Sequence, residues 1–359
     1  MVMNSPIDAS HKGSFDTHAS IQDYYGQVLK SSADLKTSAC CLAETLPVHV
    51  RDALKDVHPE VLERFYGCGS PIPPALDGAT VLDLGSGSGR DCYVLSKLVG
   101  AQGRVIGVDM TDEQLAVARR HLGWHAGRLG HANVDFRTGF IEDLGAAGIA
   151  DASVDVVISN CVLNLSPDKG RCFAEIFRVL KPGGELYFSD VFADRRVPRE
   201  LATDPVLLGE CLGGALYIED FRRAIARVGC LDARVVSSTP LELHNPEIER
   251  KAGHIRFFSM TVRAFKLALE DRCEDFGQVA TYLGTEPNHP HAFVLDDHHR
   301  LETGRPMLVC GNTADMLGRT RYGSHFRVTG DQSRHFGLFD CSPGAMAQTS
   351  EAGAKAGCC

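Results

Sequence analysis

Val81-Leu82-Asp83-Leu84-Gly85-Ser86-Gly87-Ser88-Gly89 sets the reading of this chain. An apolar run enters a glycine loop, and a helical pattern to about residue 99 follows it. Glycines at such a junction let the backbone turn tightly and approach a ligand without interference from Cβ. The spacing G-S-G-S-G is not the G-x-G-x-x-G of dinucleotide folds, and no Walker lysine follows. A nicotinamide dehydrogenase and a nucleoside triphosphatase are thereby disfavoured. Downstream, residues 104–108 read as a second strand ending in Asp109, whose carboxylate can accept both hydroxyls of a ribose. Thr111, with Glu113 in the first turn, opens a helix towards His121. Residues 79–84, 134–137, 154–159 and 185–189 read as strands, 169–180 as an amphipathic helix and 181–184 (Lys-Pro-Gly-Gly) as a turn. Apolar strands alternating with helices predict a parallel sheet covered on both faces, a doubly wound α/β domain over residues 75–240.

The flanks differ. Residues 1–74 predict a helical N-terminal segment. One amphipathic stretch surrounds Ile21, Tyr24 and Tyr25, and Val50, Leu54, Val57 and Val61 recur at helical spacing within 42–66. Residues 254–266 alternate as a strand with an exposed face, opening a small α+β domain over 241–341 with strand pieces at 279–283, 292–295 and 307–310. The tail 342–359 is rich in small residues, ends in Cys358-Cys359 and is expected to be disordered.

With 359 residues the chain exceeds one ordinary core. Its 44% hydrophobic and 23% charged residues exclude collagen-like, coiled-coil and mostly disordered classes. A net charge of −9 argues against a nucleic-acid partner. No apolar run reaches membrane-spanning length, and the polar first 30 residues lack a secretion signal's apolar core. A cytoplasmic protein with no membrane partner is expected. Its 13 cysteines are then anomalous, because cytosolic thiols stay reduced and no pair has Cys-x-x-Cys spacing. Thiolates are soft ligands that suit soft, thiophilic centres, trivalent arsenic among them.

The glycine loop, Asp109 and the 181–186 string Lys-Pro-Gly-Gly-Glu-Leu resemble the S-adenosylmethionine-dependent methyltransferases with a seven-stranded Rossmann-like sheet, the class I fold. That resemblance implies that Gly85, Ser86 and Gly87 lie against the amino-acid part of the cofactor. Asp109 would bind its ribose, Phe140, Ile141 and Glu142 would cover its adenine, and Asn160 and Cys161 would face its methyl group; Tyr66 and Met110 complete the expected cofactor set. Four thiol-bearing strings, D-L-K-T-x-A-C, F-Y-G-C-G-S-P-I-P, S-N-C-V-L-N-L-S-P-D-K and L-G-E-C-L-G-G-A-L-Y, resemble the arsenite methyltransferases, a match running from Tyr24 to about Phe339. The resemblance makes Cys40, Cys68, Cys161 and Cys211 the functional thiols. Cys161 and Cys211 would be the persistent arsenic ligands, Cys68 the third ligand and redox partner, and Cys40 (or its neighbour Cys41) the thiol that pairs with Cys68. It further implies an enzyme that methylates arsenite and then methylarsenite in arsenic detoxification, with a protein disulfide recycled by thioredoxin or glutathione; a monomer is expected.

Two rivals stand beside this reading. A methyltransferase acting on carbon or oxygen of a lipid or quinone precursor would not need the four thiols. An arsenic-sequestering protein would not need the glycine loop and Asp109. Cys92, Cys172, Cys230 and Cys273 read as core or semi-exposed, and Cys310 and Cys341 carry no assigned chemistry. Cys358-Cys359 reads either as an arsenic-capturing tail or as a passive end. His289, His291, His298 and His299 read as surface histidines rather than a zinc site. Glu210 either orients the site beside Cys211 or is solvated.

Overall fold

The computed structural model describes residues 12–28, 46–67, 69–204, 207–208, 211–243 and 245–340. The central sheet is built from β1 (Thr80–Leu84), β2 (Arg104–Asp109), β3 (Val134–Thr138), β4 (Val154–Asn160), β5 (Leu180–Ala193), β6 (Leu216–Tyr217), β7 (Ala233–Pro240) and β8 (Phe257–Phe265). Its order is β3-β2-β1-β4-β5-β8-β7, with the short β6 attached to β5. The first five strands pair in parallel, and β8 runs antiparallel between β5 and β7.

Parallel strands arise here because the pattern is apolar on both faces. Val81 joins one buried cluster with Tyr93, Leu95, Leu115 and Val156, while Leu82 and Leu84 join another with Phe173, Ile176 and Phe188. Helices α4 (Arg90–Val99) and α5 (Asp112–Arg120) supply the first cluster, and α7 (Lys169–Val179) the second. Each such apolar side chain contributes roughly 1.5–3 kcal/mol when fully buried. The N-terminal segment carries α1 (Lys12–Asp23), continued by a π-helical turn over Tyr24–Val28, then α2 (Val48–Leu54) and α3 (Pro59–Glu63); α6 (Leu122–Leu129) follows α5.

Two expectations are corrected. Residues 181–184 are not a free turn. The backbone stays extended because Gly183 N–H donates to Lys266 O and Lys266 N–H to Gly184 O, both at 2.9 Å, which prolongs β5 against β8. The strand at 254–266 does not begin the C-terminal unit and has no water-facing side. As β8 it completes the central sheet, so the boundary expected at 240 falls before the sheet ends. Its polar residues face protein instead of solvent: Thr261 Oγ1 lies 2.8 Å from Ser189 Oγ, and Arg263 pairs with Glu185 at 2.8 Å.

Beyond β8 a three-stranded sheet (Gln278–Tyr282 between Pro306–Val309 and Phe326–Thr329) packs with the helix Gly311–Gly318 around Phe265, Tyr282, Phe293, Met316 and Tyr322. A buried ionic cluster ties this unit to the main sheet. Glu185 on β5 meets Arg263 on β8, Arg321 at 2.5 Å and the Tyr322 hydroxyl at 2.8 Å. Removing the shared acceptor would strand two guanidinium groups in the interior. Glu185→Leu is therefore expected to cost about 3–5 kcal/mol, read as a lower midpoint in urea denaturation; an unchanged midpoint would show that the cluster contributes no net stability. Among the described residues no helix is long and apolar enough to cross a membrane.

Candidate active site

Strand order reverses between β1 and β4. β1 leads through α4 to β2 on one side, while β4 leads through α7 to β5 on the other. Such a switch point opens a crevice at the carboxyl ends of the strands. Leu84 is in register with Ser159, so Gly85 and the Asn160-Cys161 pair leave adjacent strands side by side. A cavity of about 920 Å³ of empty volume, partly open to solvent, lies there.

The glycine loop shapes one wall. Gly85 has φ +67°, and a Cβ on it would sit 2.3 Å from the Val162 side chain. A Cβ on Gly87 would meet only open space, which marks this loop as a cradle. Asp109 closes the loop. Its Oδ2 accepts the Gly87 N–H at 2.8 Å and its Oδ1 the Thr111 N–H at 2.7 Å, and the carboxylate still lines the cavity. The Ser86 hydroxyl is buried and has no hydrogen-bond partner among the described residues, a donor awaiting a ligand. Asp83 and Asp91 face the same space. Asp91 is already paired with Arg90 at 2.6 Å; buried Asp83 and Asp109 are left to suit a cation, and S-adenosylmethionine carries a sulfonium and an ammonium group, so the wall fits it.

That electrostatics has a pH consequence. Burial, reinforced by Asp91 and Asp109, pushes the Asp83 carboxyl well above the ordinary carboxylate range, and burial raises Asp109 as well. A raised carboxyl holds its proton until the pH passes its own pKa, and a cationic ligand favours the ionised form. Cofactor binding is therefore expected to release protons and to tighten as the pH rises through that elevated range. Calorimetry in buffers of different ionisation enthalpy reads the proton release; affinity independent of pH would contradict it.

Met110, Phe140, Ile141 and Glu142 form the opposite wall. Burial pushes Glu142 up, but hydrogen bonds from His18 and Ser166 outweigh it and leave the carboxyl low. The sequence reading assigned no role to α1, yet α1 closes this end. His18 packs on Phe140 with ring centroids 4.8 Å apart, Gln22 donates to Met110 O at 2.7 Å, and Tyr25 meets Tyr66 edge to face at 5.7 Å. The amphipathic stretch was visible in the sequence; the surface it covers was not.

The thiols stand at the far wall. Cys161 directly follows β4 and lines the cavity, and Cys211 packs behind it. The Cys211 thiol donates to Cys161 O at 3.2 Å. Ligand atoms of Cys161, Cys211 and Asp190 lie within 4.8 Å of one another, and all three residues are buried. Both cysteines have left-handed backbone, φ 58° and 62°. For a residue with a Cβ this costs about 1–3 kcal/mol and persists only where neighbours impose it. Cys161 is in a disulfide, and the expected pairing of Cys40 with Cys68 lies outside the described residues. Cys40, Cys41, Cys68, Glu210, Cys341 and the tail cysteines Cys358 and Cys359 lie outside the described residues. Asn160 lines the cavity, but its side-chain amide binds the Gly69 backbone in both directions, at 3.1 and 2.9 Å, and donates to Asp91 at 3.0 Å. It thereby anchors Gly69 to the end of β4.

Other groups fall into structural roles. Cys92, Cys172 and Cys230 are buried thiols raised by burial, Cys230 to about 12, which leaves them poor nucleophiles. The Cys310 side chain caps the helix Gly311–Gly318. His299 corrects the surface reading, being buried against Asp296 at 2.7 Å. His58, Glu60 and His121 also bring ligand atoms within 4.8 Å, but His58 Nδ1 caps α3 and Glu60 binds Arg120 and His121.

Comparison with known proteins agrees with this geometry. A family model described as a methyltransferase domain matches residues 75–229. The arsenite methyltransferase of Aquipseudomonas alcaligenes is 56% identical over 345 residues, covering 95% of this chain and 100% of that protein. The arsenite methyltransferase of Homo sapiens is 45% identical over 314 residues, covering 86% and 82%. The crystal structure of an arsenic(III) S-adenosylmethionine methyltransferase from Chlamydomonas reinhardtii superposes with a TM-score of 0.80 at 52% identity, over 82% of this chain and 100% of that one.

Proposed function

The chain belongs to the arsenite methyltransferases, S-adenosylmethionine-dependent enzymes of the class I fold, and we propose that its trivalent arsenic substrate is held by the thiolates of Cys161 and Cys211, with Cys68 as third ligand. The observation that carries this assignment is the buried Cys161–Cys211 pair at the wall of the cofactor cavity. A quinone- or lipid-directed enzyme has no use for such a pair.

Arsenite exchanges its three hydroxyl groups for three thiols, and each sulfur proton departs with a hydroxyl as water. The pyramidal complex keeps its lone pair, so no general base is needed for transfer; the chain has only to position the arsenic. Bound S-adenosylmethionine supplies the electrophilic methyl group. Gly85, Ser86 and Gly87 would hold its amino-acid part, with Asp83 balancing positive charge. Asp109 would accept the ribose hydroxyls, while Tyr66, Met110, Ile141 and Glu142 would enclose the rest. Asn160 would act by holding Gly69.

Transfer leaves arsenic pentavalent. The thiol of Cys40 would then attack the arsenic-bound sulfur of Cys68: the disulfide forms, the arsenic–sulfur bond to Cys68 breaks and leaves its electron pair on arsenic, now trivalent, and the Cys40 proton goes to solvent. Thioredoxin or glutathione then reopens the disulfide by thiol exchange. Cys161 is in a disulfide, which must be reduced before its sulfur can ligate arsenic. Within that scheme a cytoplasmic, monomeric enzyme would serve arsenic detoxification.

Ligand count supplies the test. Methylarsenite has two open positions, so Cys161 and Cys211 suffice for the second transfer. Cys68→Ser is expected to fail on arsenite and to methylate methylarsenite, read by speciating arsenic after a single turnover. Equal loss on both substrates would remove the division of labour.

A further inference from the structure

Neither Cys161 nor Cys211 lies within a strand or helix, and both hold a backbone conformation that their neighbours must impose. Asn164 is where those neighbours converge. Its side-chain Nδ2 donates to Val191 O at 2.6 Å and to Cys211 O at 3.5 Å. Its backbone N–H donates to Asp190 Oδ2 at 3.1 Å, and Asp190 Oδ1 in turn accepts the Val191 N–H at 2.8 Å. Its carbonyl accepts Lys169 Nζ at 3.1 Å. The chain after Cys211 lies directly on it, since a Cβ on Gly214 would stand 1.8 Å from Asn164 O. Three segments, the turn after β4, the end of β5 and the 211–214 loop, thus meet at one buried amide, 2% exposed.

We propose that Asn164 is a positioning residue of the arsenic site, its two-donor amide spanning the carbonyls of Val191 and Cys211 and so setting the separation of the Cys161 and Cys211 sulfurs. It touches neither substrate nor cofactor. The requirement is specific to asparagine: an aspartate has no donor for either carbonyl, an alanine leaves both unpaired, and a serine can serve only one. A misplacement of about 1 Å in a site that works by orientation costs on the order of 100-fold, while the glycine loop and Asp109 are carried by β1 and β2, elsewhere on the cavity wall. The inference rests on Cys161 and Cys211 being arsenic ligands.

The experiment measures arsenite binding to the thiol-reduced full chain by equilibrium dialysis, with cofactor affinity and thermal midpoint measured in parallel. For Asn164→Ala arsenite affinity is expected to fall about 10- to 100-fold. KM for arsenite should rise while KM for S-adenosylmethionine holds, and the arsenic X-ray absorption spectrum should show protein sulfur partly replaced by oxygen. Asn164→Ser is expected to fall between Asn164→Ala and the parent chain, and carries the test should the alanine variant fail to fold. Arsenite affinity in both variants equal to the parent, with Cys161→Ser and Cys211→Ser losing it, would overturn the proposal. Unaltered arsenite binding in the two cysteine variants would instead overturn the ligand assignment beneath it.

Discussion

Cys211→Ser is expected to abolish methylation of both arsenite and methylarsenite while leaving cofactor affinity intact. The substitution changes one atom at a site with no solvent exposure. Serine keeps a donor for the Cys161 carbonyl that the thiol now contacts at 3.2 Å, so packing and backbone have little reason to change. What is lost is ligand chemistry, because a neutral hydroxyl is a hard, weakly coordinating oxygen where a soft thiolate is required. Two thiols are the least that can hold methylarsenite, so no substrate in the series escapes the defect. Speciation of arsenic after incubation with excess small thiol, beside a calorimetric cofactor titration, separates this outcome from misfolding. Retained turnover on either substrate would remove Cys211 from the ligand set.

Asp109→Ala is the second large effect. The carboxylate accepts two backbone N–H groups, from Gly87 and Thr111, and its remaining lone pairs face the cavity. Alanine would withdraw the proposed ribose acceptor and release the glycine loop at once. A hydrogen bond to a charged group is worth about 1.5–3 kcal/mol, and 1.4 kcal/mol is tenfold in affinity. Cofactor affinity should fall by roughly 100-fold or more, with arsenite binding to the reduced protein preserved. Unchanged cofactor affinity would mean that the loop cradles something else.

The legible parts of the molecule are those written in short, continuous stretches. The strand, glycine loop and helix over 80–99, the strand ending at Asp109 and the β4 end bearing Asn160 and Cys161 each carry their signal locally, in burial pattern and turn chemistry. What escaped depends on partners far along the chain. The alternation in β8 is the same whether Ser259, Thr261 and Arg263 face water or, as here, Ser189 and Glu185. His18, Gln22 and Tyr25 reach the cofactor wall through contacts spanning some hundred residues, at Glu142, Met110 and Gln114. Asn164 and Asp190 look like ordinary polar residues until the 211–214 loop is laid across them. Asn160, expected at the cofactor, lines the cavity and also holds the Gly69 backbone, a partner 91 residues away that its own string does not show.

The place of β8 in the sheet bears on how the protein is made. It is the last of the eight strands along the chain, yet it lies between β5 and β7. On a ribosome, β5 emerges with one edge bare from Glu185 to Ala193 and has no native partner there until Phe257–Phe265 follows. For that interval the nascent chain presents an unpaired, mostly apolar strand edge, the kind of surface that recruits chaperones or other copies of itself. Asp190 and Val191, which seat Asn164, lie within that same stretch. The arsenic site would thus be among the last parts of the enzyme to mature, and a chain ending before residue 257 should emerge as an aggregation hazard rather than a smaller methyltransferase.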